Sequence, residues 1–217
     1  MKKLLLLLLF IPLVSFGQEK CEGITVAGGN GEGSSADQLS YPNGIAFDDS
    51  GNLYIADRNN SRIQKWAPGA TEGKTVAGGN GYGFIDGIAL DDSGNLYIAT
   101  ANNHRIEKWV IGATEGTTVA GGNGYGSAAD QLYLPNNIII DNSGNLYIAD
   151  SNNNRIQKWA PGATEGTTVA GGNGKGSSAD QLNSPNGIAI DDSGNLYIAT
   201  ANNHRIQKWA PGATEGK

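Results

Sequence analysis

Pro185 to Trp209 reads P-N-G-I-A-I-D-D-S-G-N-L-Y-I-A-T-A-N-N-H-R-I-Q-K-W. Short apolar runs are separated by D-D-S-G-N and by A-N-N-H. Asp, Ser, Gly and Asn tolerate tight and left-handed turns, so the stretch predicts three short strands joined by two tight turns. Its centre, G-N-L-Y-I-A-[DT], recurs at Gly51, Gly94, Gly144 and Gly194, at spacings of 43, 50 and 50 residues. Each copy is followed by N-N-x-R-I-x-K-W and G-A-T-E-G, and the first three then by T-V-A-G-G-N-G. A fixed period of this length marks a repeat architecture.

One period divides into four strands: a, Gly44 to Asp48; b, Leu53 to Asp57; c, Arg62 to Trp66; d, Lys74 to Ala77. Strands a and b are apolar on both faces, as in a sheet packed between neighbours. Four strands of about five residues cannot bury such a sheet alone, so stacked repeats must cover one another. No segment sustains a 3.6-residue apolar period, which excludes helical solenoids. The expected fold is all-β, a β-propeller of four-stranded antiparallel blades with four repeats in the chain. The expected boundaries are 44–77, 87–120, 137–170 and 187–217, inside a propeller spanning 24–217. Ile24 to Ala27 reads as a further strand d. It could complete the last blade and close the ring, for 16 strands in all, which would hide the sheet edges.

The 33 glycines and the 17% charged residues suit many short strands and turns. Lys2 and Lys3 precede an apolar run, Leu4 to Phe16, with small residues at Ser15 and Gly17. This is the layout of a cleavable export leader, residues 1–17, cut before Gln18 and followed by a short tail, 18–23. The run is shorter than the ~20 residues of a membrane span. Secretion, or release into a periplasm, is the expected destination. Losing the two lysines takes the net charge from −6 to −8. An acidic surface cannot neutralise phosphates, so nucleic acid is an unsuitable partner. Cys21 is the sole cysteine, which excludes an internal disulfide.

The run P-N-G-I-A-x-D-D-S-G-N-L-Y-I-A-[DT]-x-N-N-H-R-I-x-K-W resembles the NHL repeat family. The resemblance implies a β-propeller, usually of about six blades, used mainly as a recognition platform. Four blades depart from that number, which leaves self-association open.

Candidate binding residues come from the face shared by the b–c turns and the d–a linkers. They are Asn59, Asn60 and Arg62; Asn102, Asn103, His104 and Arg105; Asn152, Asn153 and Arg155; and Asn202, Asn203, His204 and Arg205. Their amides, guanidinium groups and imidazoles offer donors and acceptors for a glycan or a protein. The same residues also favour tight turns for backbone reasons, and Asp57 with Arg62, or Asp150 with Arg155, can pair across the turn. The d–a linker of the second repeat is short, and Phe84 beside the resulting notch is a candidate ligand seat. Asp48, Asp91, Asp141 and Asp191 end the innermost strands, where converging carboxylates could hold Ca²⁺, although each can equally serve its own turn. No G-x-S-x-G elbow, H-E-x-x-H or phosphate loop is present. The expected function is therefore non-enzymatic binding of a protein or glycan. The alternative is a metal-dependent propeller enzyme of lyase or lactone-hydrolase type.

Overall fold

The computed structural model describes residues 23–79 and 83–217. The export leader and Cys21 lie outside the described residues. Four sheets follow one another along the chain. The first comprises β1 (Pro42–Phe47), β2 (Leu53–Asp57), β3 (Arg62–Trp66) and β4 (Lys74–Gly78). The second comprises β5 (Ile85–Leu90), β6 (Leu96–Thr100), β7 (Arg105–Trp109) and β8 (Thr117–Gly121). The third comprises β9 (Pro135–Ile140), β10 (Leu146–Asp150), β11 (Arg155–Trp159) and β12 (Thr167–Gly171). The fourth comprises β13 (Pro185–Ile190), β14 (Leu196–Thr200) and β15 (Arg205–Trp209). Each is an antiparallel meander, and together they form the four blades of a β-propeller.

Strands b and c fall where the apolar runs place them. Strand a begins two residues earlier than expected. Pro42 already pairs with Asp57, and the register then shifts before Ile45 pairs with Ile55. This bulge brings neighbouring inner strands very close. A Cβ on Gly44 would lie 2.7 Å from the Asp86 carbonyl oxygen, so only glycine fits there without displacement.

The core lies between blades. Tyr147, Ala149, Ile156 and Ala170 of the third blade pack on Leu182, Leu196, Ile198 and Trp209 of the fourth, and the other two seams repeat the arrangement. Full burial of one such isoleucine contributes about 1.5–3 kcal/mol. The indole of Trp66 covers Gly73, where any side chain would collide with it.

The expected closure is not observed. The inner strands pack in succession, β1 on β5, β5 on β9 and β9 on β13, but β13 makes no comparable contact with β1. Ile24 to Ala27 forms no strand. The described residues thus contain 15 strands, and the fourth sheet has three. The first and fourth blades instead keep open faces: Ile45 of β1 is 62% exposed and Ile206 of β15 is 63% exposed. No helix among the described residues is long and apolar enough to cross a membrane.

Candidate functional site

The four inner strands begin, on one face of the propeller, with Asn43, Asp86, Asn136 and Asn186 in equivalent places. The b–c turns reach the same face as single 3₁₀ turns, for example Arg58–Asn60 and Ser151–Asn153. Between them lies a cavity of about 330 Å³ at the axis. Asn102, Asn136, Asn152, Asn186 and Asn202 line it with amides, Ser151 and Ser184 with hydroxyls, and Arg58 and Asp86 with charges.

One wall of this cup departs from the repeat. Asp86 stands where the other blades have Asn, and Arg58 where they have Ala101, Ser151 and Ala201. The two form an ion pair, with Arg58 Nε donating to Asp86 Oδ1 at 2.5 Å. Asn43 Nδ2 donates to the same oxygen at 3.2 Å. The Arg58 guanidinium lies over the Phe84 ring, 4.3 Å from its centroid, a favourable cation–π placement. Phe84 therefore supports the charged wall from the short linker.

The rim carries backbone strain. Leu134 and Ser184 take φ values of 50° and 51°, a left-handed conformation that costs ~1–2 kcal/mol for a non-glycine residue. Hydrogen bonds from the preceding blade hold both. Leu134 N–H donates to His104 Nδ1 at 3.3 Å, and Ser184 N–H to Asn154 Oδ1 at 3.0 Å. His104 itself is left-handed (φ 54°) and meets Tyr125 and Tyr133 edge-on at 5.6 and 5.5 Å.

The sequence-derived candidates divide. Asn102, Asn152 and Asn202 line the cup. Asn59 is exposed and is tied through its backbone to Ser40. Asn60, Asn153 and Asn203 donate to the carbonyls of Gly33, Gly126 and Gly176, anchoring the linkers. Asn103 lies alongside Gly83. Arg62, Arg155 and Arg205 clasp linker carbonyls, Arg62 those of Ser34, Ser35 and Gln38. Arg62 also pairs with Asp57 at 2.7 Å and Arg155 with Asp150 at 2.8 Å. Arg105, with no long linker to hold, donates to Glu107 at 2.6 Å. His204 lies at the end of the array, beside Ala199 and Ile206, so the two histidines do not meet.

The four turn aspartates do not converge on the axis. Asp48 Oδ1 accepts from the backbone of Ser50 and Asn52, and its carboxylate also meets Tyr54 and Lys65. Asp91, Asp141 and Asp191 repeat the arrangement with Asn95, Asn145 and Asn195. Partial burial pulls the Asp48 carboxyl upward, but hydrogen bonds from Asn52, Lys65 and Tyr54 outweigh it and hold the group well below the usual carboxylate range. These residues serve the a–b turns, on the face opposite the cup. Among the described residues, no group of three or more His, Cys, Asp or Glu is placed to hold a metal ion.

Arg58, Asp86, Asn136, Asn186, Ser151 and Ser184 escape a reading by motif. Their signal is positional: aligning the copies exposes Asp86 among asparagines and Arg58 among small residues.

The NHL repeat family model matches residues 39–66, 132–159 and 182–209. The chain carries NHL repeats. The matched stretches begin at Leu39, Leu132 and Leu182, linker residues that the shortened second repeat lacks. Among curated proteins, no sequence matches. Similar solved structures include an auxiliary nutrient binding protein from Bacteroides thetaiotaomicron, 21% identical over 77% of this chain and 47% of its own, with TM-score 0.61. A gluconolactonase from Xanthomonas campestris is 17% identical over 83% and 62%, with TM-score 0.66. A chain of a nidogen/laminin complex is 25% identical over 82% and 64%, with TM-score 0.66. This NHL-repeat chain spans about half to under two thirds of the length of each. The likeness shows the propeller fold, shared by binding proteins and enzymes alike.

Proposed function

We propose that this chain is an exported, non-enzymatic binding propeller whose axial cup takes a neutral, polyhydroxylated ligand, a glycan. The lining of the cup carries the reading. Five asparagine amides and two serine hydroxyls converge on one cavity. An amide carries two donors and an acceptor and a hydroxyl both; Ser151 spends its donor on the Pro185 carbonyl and Asn202 one of its two on Asn183, and the other groups complete the mixture. Sugar hydroxyls require that mixture. The single ion pair in the wall is internally neutralised, so the cup presents no net charge to attract an ionic ligand. Its volume of about 330 Å³ lies at the lower end of the ~300–1,000 Å³ typical of small-molecule sites. The presence of nutrient-binding proteins among the similar structures supports a binding role.

The test is calorimetric titration with a panel of neutral gluco-, manno-, galacto- and xylo-oligosaccharides. At least one should bind the parent chain, and Asn136→Leu or Asn186→Leu should remove that binding with the far-UV spectrum unchanged. Binding that survives both substitutions would sink the proposal, as would a parent chain that binds none of the panel.

A further inference from the structure

Just outside the cup, the linker into the third blade carries a pair of rings where the other two long linkers are polar. Tyr125 and Tyr133 lie 5.3 Å apart between centroids, tilted at 37°, and His104 of the preceding b–c turn meets both edge-on. The two tyrosines take the places of Glu32 and Ser40 in the linker into the first blade, and of Lys175 and Asn183 in the linker into the fourth. In the first linker Ser40 Oγ donates to Glu32 Oε1 at 2.7 Å. In the fourth, Asn183 Oδ1 accepts from Asn202 Nδ2 at 3.2 Å. The blade plan therefore has no need of rings at these places.

Packing does not account for them either. Tyr125 is 68% exposed, and Tyr133 and His104 are half-buried. Apolar ring surface left in water forgoes the stabilisation that burial would give.

The rings are nonetheless held in place. Tyr125 forms an isolated β-bridge with Leu132, which is fully buried. Tyr133 N–H donates to Asp150 Oδ1 at 2.7 Å, and its carbonyl accepts the Asn152 N–H at 3.2 Å. His104 Nδ1 accepts the Leu134 N–H at 3.3 Å. A surface fixed in this way loses little freedom on binding, which favours affinity.

The same bonds join the rings to the cup. Leu134 and Asn152 line the cavity, and so does Asn102, two residues ahead of His104. The rings thus continue the cup outward across its rim, at the seam between the second and third blades. The cavity of about 330 Å³ is small for a ligand site, so a glycan of several units must extend past that rim. A pyranose ring has hydroxyls around its edge and C–H groups on its faces. Amides suit the hydroxyls, and the negative face of an aromatic ring attracts polarised C–H groups.

We propose that Tyr125 and Tyr133 form a stacking subsite for an outer sugar unit of the glycan held in the cup, so that the chain prefers oligosaccharides to single sugars. The proposal rests on the reading of the cup and adds the length of its ligand.

Calorimetric titration with monosaccharides and with di- to tetrasaccharides of the neutral gluco-, manno-, galacto- and xylo-series tests it. In at least one series the longer members should bind wild type about five- to tenfold tighter than the monosaccharide, the size of one stacked ring contact. Tyr125→Ala, and Tyr133→Ser, which copies the first linker, should each bring the longer members back to the affinity of the monosaccharide, with far-UV spectra unchanged. Tyr125→Phe should keep the gain. A gain that survives both ring deletions, or an affinity that does not rise with length, overturns the stacking subsite and leaves the cup standing. Oligosaccharide binding that is lost in Tyr125→Ala but survives Asn136→Leu upholds stacking on the rings and overturns only the cup. A wild type that binds no member of any series overturns both.

Discussion

The seam between the first and second blades and the seam between the third and fourth are built on one plan and finished differently. At the later seam the long linker is present. Ser151 Oγ donates to the Pro185 carbonyl at 2.5 Å across it. At the earlier seam the linker is short. Arg58, Asp86 and Phe84 replace neutral contacts with an ion pair stacked on a ring. The apolar cores of the two seams are equivalent. Residues that recur thus hold blades and linkers together and supply the amides of the cup, while Arg58, Asp86 and Phe84 shape its one divergent wall.

The largest effect should come from the recurring part. Asp150 is fully buried and accepts from the Tyr133 N–H, Asn153 and Arg155. Removing one partner of a buried ion pair costs about 3–5 kcal/mol, so Asp150→Ala should lower the urea midpoint sharply. Asp150→Thr should cost less, because Thr100 and Thr200 hold the same place by donating to the Arg105 and Arg205 carbonyls. Equal losses for the two substitutions would show that the threonine arrangement does not transfer.

The unique corner should be more tolerant. Arg58→Ala leaves Asp86 buried with Asn43 as its remaining side-chain donor, a loss of about 1–3 kcal/mol. Ser151→Ala removes one neutral hydrogen bond, about 1 kcal/mol. Thermal unfolding of both variants measures the difference between the seams, and a larger loss for Ser151→Ala would reverse the assignment.

The smallest effect is a pH dependence shared by all blades. Asp48, Asp91, Asp141 and Asp191 are lowered from 3.8, burial opposing and hydrogen bonds prevailing, except at Asp191, where the Asn195 hydrogen bonds lead. Their contribution is present above pH 3.8 and fades as pH falls below it. Asp150 is raised by burial, so its contribution has the opposite sign. Lys65, Lys108 and Lys208 are raised from 10.5, chiefly by the Tyr54, Tyr97 and Tyr197 hydroxyls. Their contribution is lost as pH climbs past 10.5. Unfolding followed across pH should show a plateau between these limits, and a decline beginning at neutrality would contradict the assignment.

Much of the blade was legible in sequence. L-Y-I-A and R-I-x-K-W are bounded by turn residues, so β2 and β3 fall at their expected limits. The left-handed place of His104 and His204 suits their reading as turn residues. Strand β1 was less legible, because its pairing starts ahead of a bulge at Asn43 and Gly44. Ring closure was not legible at all, since the order of strands says nothing of the angle between blades. The cup was hidden for a related reason: Asn136 and Asn186 lie just ahead of the expected repeat boundaries, and only the folded axis brings them together.

The most direct test observes the asparagine side-chain amides by nitrogen-edited NMR while a neutral oligosaccharide is titrated in. The amides of Asn136, Asn152, Asn186 and Asn202 should shift together, while those of Asn52, Asn95, Asn145 and Asn195 on the opposite face stay still. Shifts confined to the second set, or to neither, would contradict the axial cup as the binding site.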